Sequence, residues 1–229
     1  HINGGGPEVH GYDESDGETG NGDAAPFKDP NPVDIFGMAG RAEAFMAKNS
    51  KAEKPFFIQM SFHALHYPEN ARATTVASVR ERIRGGNEKQ IERTAIAEDL
   101  DEGVGRVLTA IDKLGLVDNT YVIYMSDNGG GGGKRGGLSG GKGSVWEGGI
   151  RVPFIVRGPG IKGGTFSPQR IVGQDLLPTF CELAGVKLPR SYKPDGISQV
   201  AALKGNGNSK RTRPLYWKIG AAWPPRESK

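Results

Sequence analysis

Cysteine is nearly missing: Cys181 stands alone in 229 residues. One thiol excludes an internal disulfide framework and a cysteine-rich zinc site. No stretch of about 18 apolar residues occurs, so no membrane span is expected. The 36 glycines show no period of three, which excludes collagen. The chain opens at His1, without a charged-then-apolar leader. A removed signal peptide or a fragment is the expectation. Bases are scarce in residues 8–34, where Lys28 faces eight acids; acids are scarce in residues 204–229, where Glu227 faces seven bases. That basic tail lacks helical periodicity and a nucleic-acid motif. It is expected to be solvated surface, with no nucleic-acid partner.

The length suggests one domain plus part of another. Residues 1–32, rich in Gly, Asp, Glu and Pro, read as surface loop. Asn31-Pro32 resembles an N-cap with proline in the first turn, so a helix over 33–49 follows. Residues 55–62 (PFFIQMSF) form a short apolar run that reads as a buried strand. Residues 63–87 read as a connection. Residues 88–114 carry the clearest helical stripe, with Gly115 where a capping glycine belongs. Residues 120–125 (TYVIYM) and 152–156 (VPFIV) read as two further buried strands, and 174–184 as a helix ending at Gly185. Leu215–Ile219 could open a further element. Alternating strands and helices with near-continuous apolar strands imply an α/β fold, a mostly parallel sheet sandwiched by helices.

In such sheets ligands bind beyond the carboxyl ends of the strands. Two loops leaving those ends carry reactive residues. Ser126-Asp127-Asn128-Gly129-Gly130 is good turn chemistry. It is also a pair of hard oxygen ligands for Ca²⁺ or Mg²⁺, because a carboxylate after so apolar a strand needs a partner or a cation. Between residues 61 and 68, His63 and His66 are either satisfied hydrogen-bonders or functional groups. Lys142, in Gly140-Gly141-Lys142-Gly143-Ser144, offers a positive charge where glycines allow close approach to an anion. A phosphate-loop match fails at position 143, where Gly replaces Ser or Thr. Twelve glycines crowd residues 129–149, so the nominal G-x-G-x-x-G there is a chance match and residues 129–137 read as flexible loop. Cys181 reads as a small apolar helix residue. Trp146, Trp217 and Trp223 read as packing or as ring-stacking residues. A hard cation with a Lys/His cluster suits hydrolysis of a tetrahedral anionic ester, sulfate or phosphate.

The segments KPFFIQMSFHALHYP (54–68), VDNTYVIYMSDNGG (117–130), GGKGSVWEGGIRVPFIVRGPG (140–160) and VGQDLLPTFCELAGV (172–186) fall in one order. Together they resemble the sulfatase family of the alkaline-phosphatase-like superfamily. The resemblance implies an alkaline-phosphatase-like α/β fold. Residues 1–203 would be the central and C-terminal part of a catalytic domain, and 204–229 the start of a small C-terminal α+β subdomain. It implies that Asp127 and Asn128 ligate a catalytic Ca²⁺, expected ahead of Mg²⁺. His66 would contact the sulfate ester and assist its leaving oxygen, and Lys142 would bind the sulfate. His1, before Ile2-Asn3-Gly4, would be a further active-site histidine. The substrate would be a small-molecule or glycan sulfate ester, and the location periplasmic or secreted.

The family's nucleophile is a formylglycine made within Cys-x-Pro-x-Arg. Cys181 is followed by Glu-Leu-Ala-Gly and does not match, and no Ser-x-Pro-x-Arg replaces it. That nucleophile and the remaining metal carboxylates are expected upstream of His1. Residues 1–229 alone are expected to be inactive, with no turnover of an aryl sulfate above a His66→Ala control. Two rivals stand: a phosphomonoesterase or phosphodiesterase of the same superfamily, and a non-catalytic homologue that binds sulfated glycans.

Overall fold

A computed structural model describes residues 6–16, 29–66, 69–131, 136–207 and 209–219. It divides into two compact units, His1–Leu116 and Val117–Lys229.

The first unit is helical. α1 spans Ile35–Asn49. Asn31 caps it: the amides of Phe36 and Gly37 donate to Asn31 Oδ1 at 3.0 and 2.9 Å. The helix starts two residues after the expected Val33, which sits at φ 44 in a short 3₁₀ turn. α3, Glu88–Lys113, matches its expected span. Asn87 accepts from Gln90 N at its start. At its end Gly115 adopts φ 68 while Leu116 N and Gly115 N donate to Ile111 O and Asp112 O. That is the paired hydrogen bonding a glycine after a helix permits.

α2, Ala73–Arg82, occupies what read as a connection. Its capping acceptors come from elsewhere in the chain, which a sequence pattern cannot show. Buried Asp99 accepts from Arg72 N at 2.7 Å and Thr75 Oγ1 at 2.7 Å, and Asp29 Oδ1 accepts from Ala73 N at 3.1 Å. Val33, Ile35, Ile96 and Leu100 form one apolar cluster; Val79, Ile91 and Ala95 form another. Gly103 lets α3 approach α1, since a methyl there would strike the Ile35 side chain. Arg106 and Glu43 pair across the same helices at 2.9 and 3.1 Å. The acidic N-terminal segment docks on α1 through Glu14–Lys48 and Asp16–Arg41.

Residues 55–62 are not a strand: no described residue shares a ladder with them. Their burial still alternates, with Phe56, Ile58, Met60 and Phe62 half-buried and the residues between exposed. Side-chain period alone orients such a segment, whereas a strand also needs a hydrogen-bonding neighbour.

The second unit holds β1, Val122–Met125, and β2, Phe154–Arg157. They pair antiparallel, Val122 opposite Arg157 and Met125 opposite Phe154. The expected parallel arrangement does not hold for this pair. A parallel return needs a crossover, usually a helix, and the described residues between the strands hold only four-residue α4, Glu147–Ile150. Nor are the strands covered on both faces: Tyr124 and Ile155, opposite one another, are exposed. α5, Leu176–Leu183, ends at Gly185 with φ 68, as expected. α6 is Val200–Leu203. Residues 215–219 form no regular element.

Candidate functional site

The loop after β1 is glycine-built and tightly packed. Gly129 N donates to Gly149 O at 2.9 Å, and Gly148 N to Ser139 O at 2.7 Å. A methyl on Gly129 would collide with the Gly148 carbonyl, and one on Gly149 with the carbonyls of Gly141 and Ser144. One on Gly148 would stand 2.6 Å from Ser139 O. These glycines serve close backbone approach, not flexibility, so Gly129 departs from the flexible-loop expectation for 129–137. Residues 132–135 lie outside the described residues.

Asp127 and Asn128 open this knot and Lys142 lies within it. Lys142 N donates to Gly130 O at 3.0 Å, two residues beyond Asn128. Ser126 Oγ donates to Asn128 O at 2.9 Å, and Asn128 Nδ2 to Gly129 O at 3.1 Å. That donation leaves Asn128 Oδ1 as the side chain's acceptor. Asp127 is exposed rather than buried. Water can solvate it, so burial does not force a cation upon it. Neither its carboxylate nor the Lys142 ammonium forms an ion pair with a described residue. Two adjacent hard oxygens fit part of a Ca²⁺ shell, which takes roughly six to eight such ligands. No cluster of three His, Cys, Asp or Glu suited to a metal occurs among the described residues.

His66 belongs to the first unit. Phe62 and Ala64 pack against the Ile35–Ile96 cluster and anchor its loop. His66 N donates to His63 O at 3.1 Å, closing a turn, and the two imidazoles lie edge to face with centroids 5.2 Å apart. Leu65 between them adopts φ 68. A left-handed leucine costs on the order of 1–2 kcal/mol. His66, the next residue, is exposed. Tyr67, Pro68 and His1 lie outside the described residues.

Sequence reasoning missed a buried polar clasp in the second unit. Asp175, fully buried, accepts from Arg211 Nη1 at 3.1 Å and Nη2 at 2.5 Å, Gln199 Nε2 at 3.0 Å, and the amides of Val172 and Ile197. Burial pushes the Asp175 carboxyl up, but the Arg211 guanidinium and the two amides outweigh it and hold the group below its ordinary value. Arg211 is therefore an anchored residue within the stretch read as solvated. Its partner is 36 residues away, and no local signal marks it. Cys181 lies in α5 but is half-buried, not the buried residue expected.

A family model described as Sulfatase matches residues 9–186. The chain is 33% identical over 196 residues to the steryl-sulfatase of Mus musculus, covering 76% of this chain and 29% of that protein. It is 35% identical over 198 residues to human arylsulfatase A, covering 81% and 37%. Among solved structures it resembles the crystal structure of Ps i-CgsB in complex with k-i-k-neocarrahexaose, with TM-score 0.71 and 30% identity over 79% of this chain and 40% of that one. The chain thus spans roughly a third of the length of these relatives, and the α/β, alkaline-phosphatase-like fold is theirs as well as its own. On residues 9–186, more than half of its length, this chain belongs to the sulfatase family.

Proposed function

We propose that this chain supplies the sulfate-binding and metal-binding half of a sulfuric ester hydrolase site. The observation that carries the reading is the backbone hydrogen bond from Lys142 to Gly130, which ties the lysine to the Asp127-Asn128 turn in one knot. In this reading the Lys142 ammonium meets a sulfate oxygen. As the ester bond breaks, negative charge moves toward the departing oxygen, so a fixed cation stabilises the transition state more than the bound ester. His66 is the group that the family resemblance assigns to the ester's leaving oxygen. Asp127 and Asn128 would hold Ca²⁺, which would supply positive charge to the site. The substrate is a monoester of a small molecule or glycan. Both the arylsulfatase name and the carrahexaose complex among the relatives accord with this.

Calorimetric titration of the chain with phenyl sulfate in Ca²⁺ tests it. Lys142→Ala should weaken binding at least tenfold, since a charge-assisted hydrogen bond contributes about 1.5–3 kcal/mol. Asp127→Ala should abolish the Ca²⁺ dependence. Equal affinities across these variants overturn the reading, and tighter binding of phenyl phosphate than phenyl sulfate transfers it to a phosphoesterase.

A further inference from the structure

We propose that Trp146 is the ring-binding residue of this site, its indole receiving the face of the ring that carries the sulfate ester. The proposal rests on the sulfate-ester reading above and adds to it the residue that receives the ring bearing the ester.

Trp146 is the aromatic residue of the 126–150 segment, four positions after Lys142, and its indole is exposed, 66% by area. An exposed tryptophan on a mobile loop would mean little, but this one is fixed at its base. Its carbonyl accepts from Gly149 N at 2.8 Å and Ile150 N at 3.2 Å. Gly140, at φ 74, lies so close that a methyl there would stand 2.6 Å from Trp146 Cβ and 3.2 Å from Cγ. Gly140 is thus glycine for two reasons, its backbone angle and the room it leaves for the tryptophan. The same knot holds Lys142 N against Gly130 O. The cation for the ester and the flat apolar face therefore rise from one hydrogen-bonded scaffold.

An indole has two side-chain torsions, so little freedom is lost when a ring settles on it. Aromatic contacts prefer offset or edge-on geometry, and a pyranose offers a comparable C–H-rich face. An acyclic ester has no such face. Specificity for ring-borne sulfate then needs no further polar contact.

The test is titration of the chain, in Ca²⁺, with phenyl sulfate and with ethyl sulfate, using wild type, Trp146→Ala, Trp146→Phe and Lys142→Ala, each checked by far-UV circular dichroism. Trp146→Ala should bind phenyl sulfate about tenfold more weakly and ethyl sulfate within about twofold of wild type, with Trp146→Phe keeping most of the affinity. If Trp146→Ala binds phenyl sulfate like wild type while Lys142→Ala loses both esters, the ring-binding role is overturned and the sulfate reading stands. If wild type binds neither ester, the sulfate reading falls and this proposal with it. Should Trp146→Ala fail to fold, the chain carrying Trp217→Phe and Trp223→Phe decides. Its remaining indole emission should shift on phenyl sulfate and not on ethyl sulfate, and an unchanged spectrum overturns the proposal.

Discussion

The two units are held together by different physics. Proline aside, twelve hydrophobic side chains are buried among the described residues: eleven lie in the first unit and Val200 in the second. The first unit is a set of helix faces closed over aliphatic side chains. The second buries backbone and polar groups instead: Gly129, Gly148, Gly149 and Gly196, with Asp175, Thr179 and Gln199. Apolar contacts are non-directional and yield by repacking. Hydrogen-bonded backbone and a buried carboxylate have few acceptable geometries, and they leave a large penalty when one partner goes. A unit of the second kind holds its loop backbone in one geometry. It does so at the expense of tolerance to substitution.

Selective damage breaks or sharpens this contrast. Tryptophan emission reports on the second unit, because Trp146, Trp217 and Trp223 all lie there; helical circular dichroism weights the first. Asp175→Ala should have the largest effect, a loss of about 4 kcal/mol from stranding Arg211, read by urea unfolding followed by tryptophan emission. A loss under about 1 kcal/mol would show that the clasp is dispensable and the contrast overdrawn. Ile96→Ala should cost the first unit about 3 kcal/mol by opening a cavity in the Val33–Leu100 cluster, seen in the helical signal.

Gly149→Ala should cost the second unit about 2 kcal/mol through its clash with two carbonyls, whereas Gly163→Ala, with open space around it, should change stability by less than about 0.5 kcal/mol. Equal effects at the two glycines would mean the knot is loose. Acid adds a subtler probe. Because the folded Asp175 carboxyl lies below its ordinary value of 3.8, the stability it adds is present above that value and is lost as pH falls through the folded one. Tryptophan-monitored unfolding should therefore steepen below about pH 4 in wild type and flatten in Asp175→Asn. Of the variants expected to destabilise, Asn31→Ala should lose the least, about 1 kcal/mol, from uncapping α1.

Elements whose signals are local were legible in the residues. α3 was bounded by Gly115 and α5 by Gly185, because cap and helix are neighbours along the chain. α2 was not legible: Thr74, Thr75 and Val76 are indifferent helix formers, and its capping carboxylates, Asp29 and Asp99, lie well outside it in the sequence. Residues 55–62 alternate in burial but have no ladder partner among the described residues, which no single segment can announce. Within the candidate site, Asp127, Asn128 and Lys142 stood out by residue type next to glycine. What glycine density could not reveal was whether those glycines loosen a loop or lock one. Only the carbonyls facing Gly129 and Gly149 decide that.

Residue order alone determined α3, α5, the places of the two strands, the family and the chemical types at the site, since each depends on spacing along one chain. Tertiary structure decided the antiparallel return of β2, the strained turn that presents His66, and the burial of Asp175 against Arg211. Those depend on which distant atoms meet, and a hydrogen bond across 36 residues leaves no periodic trace in either segment it joins.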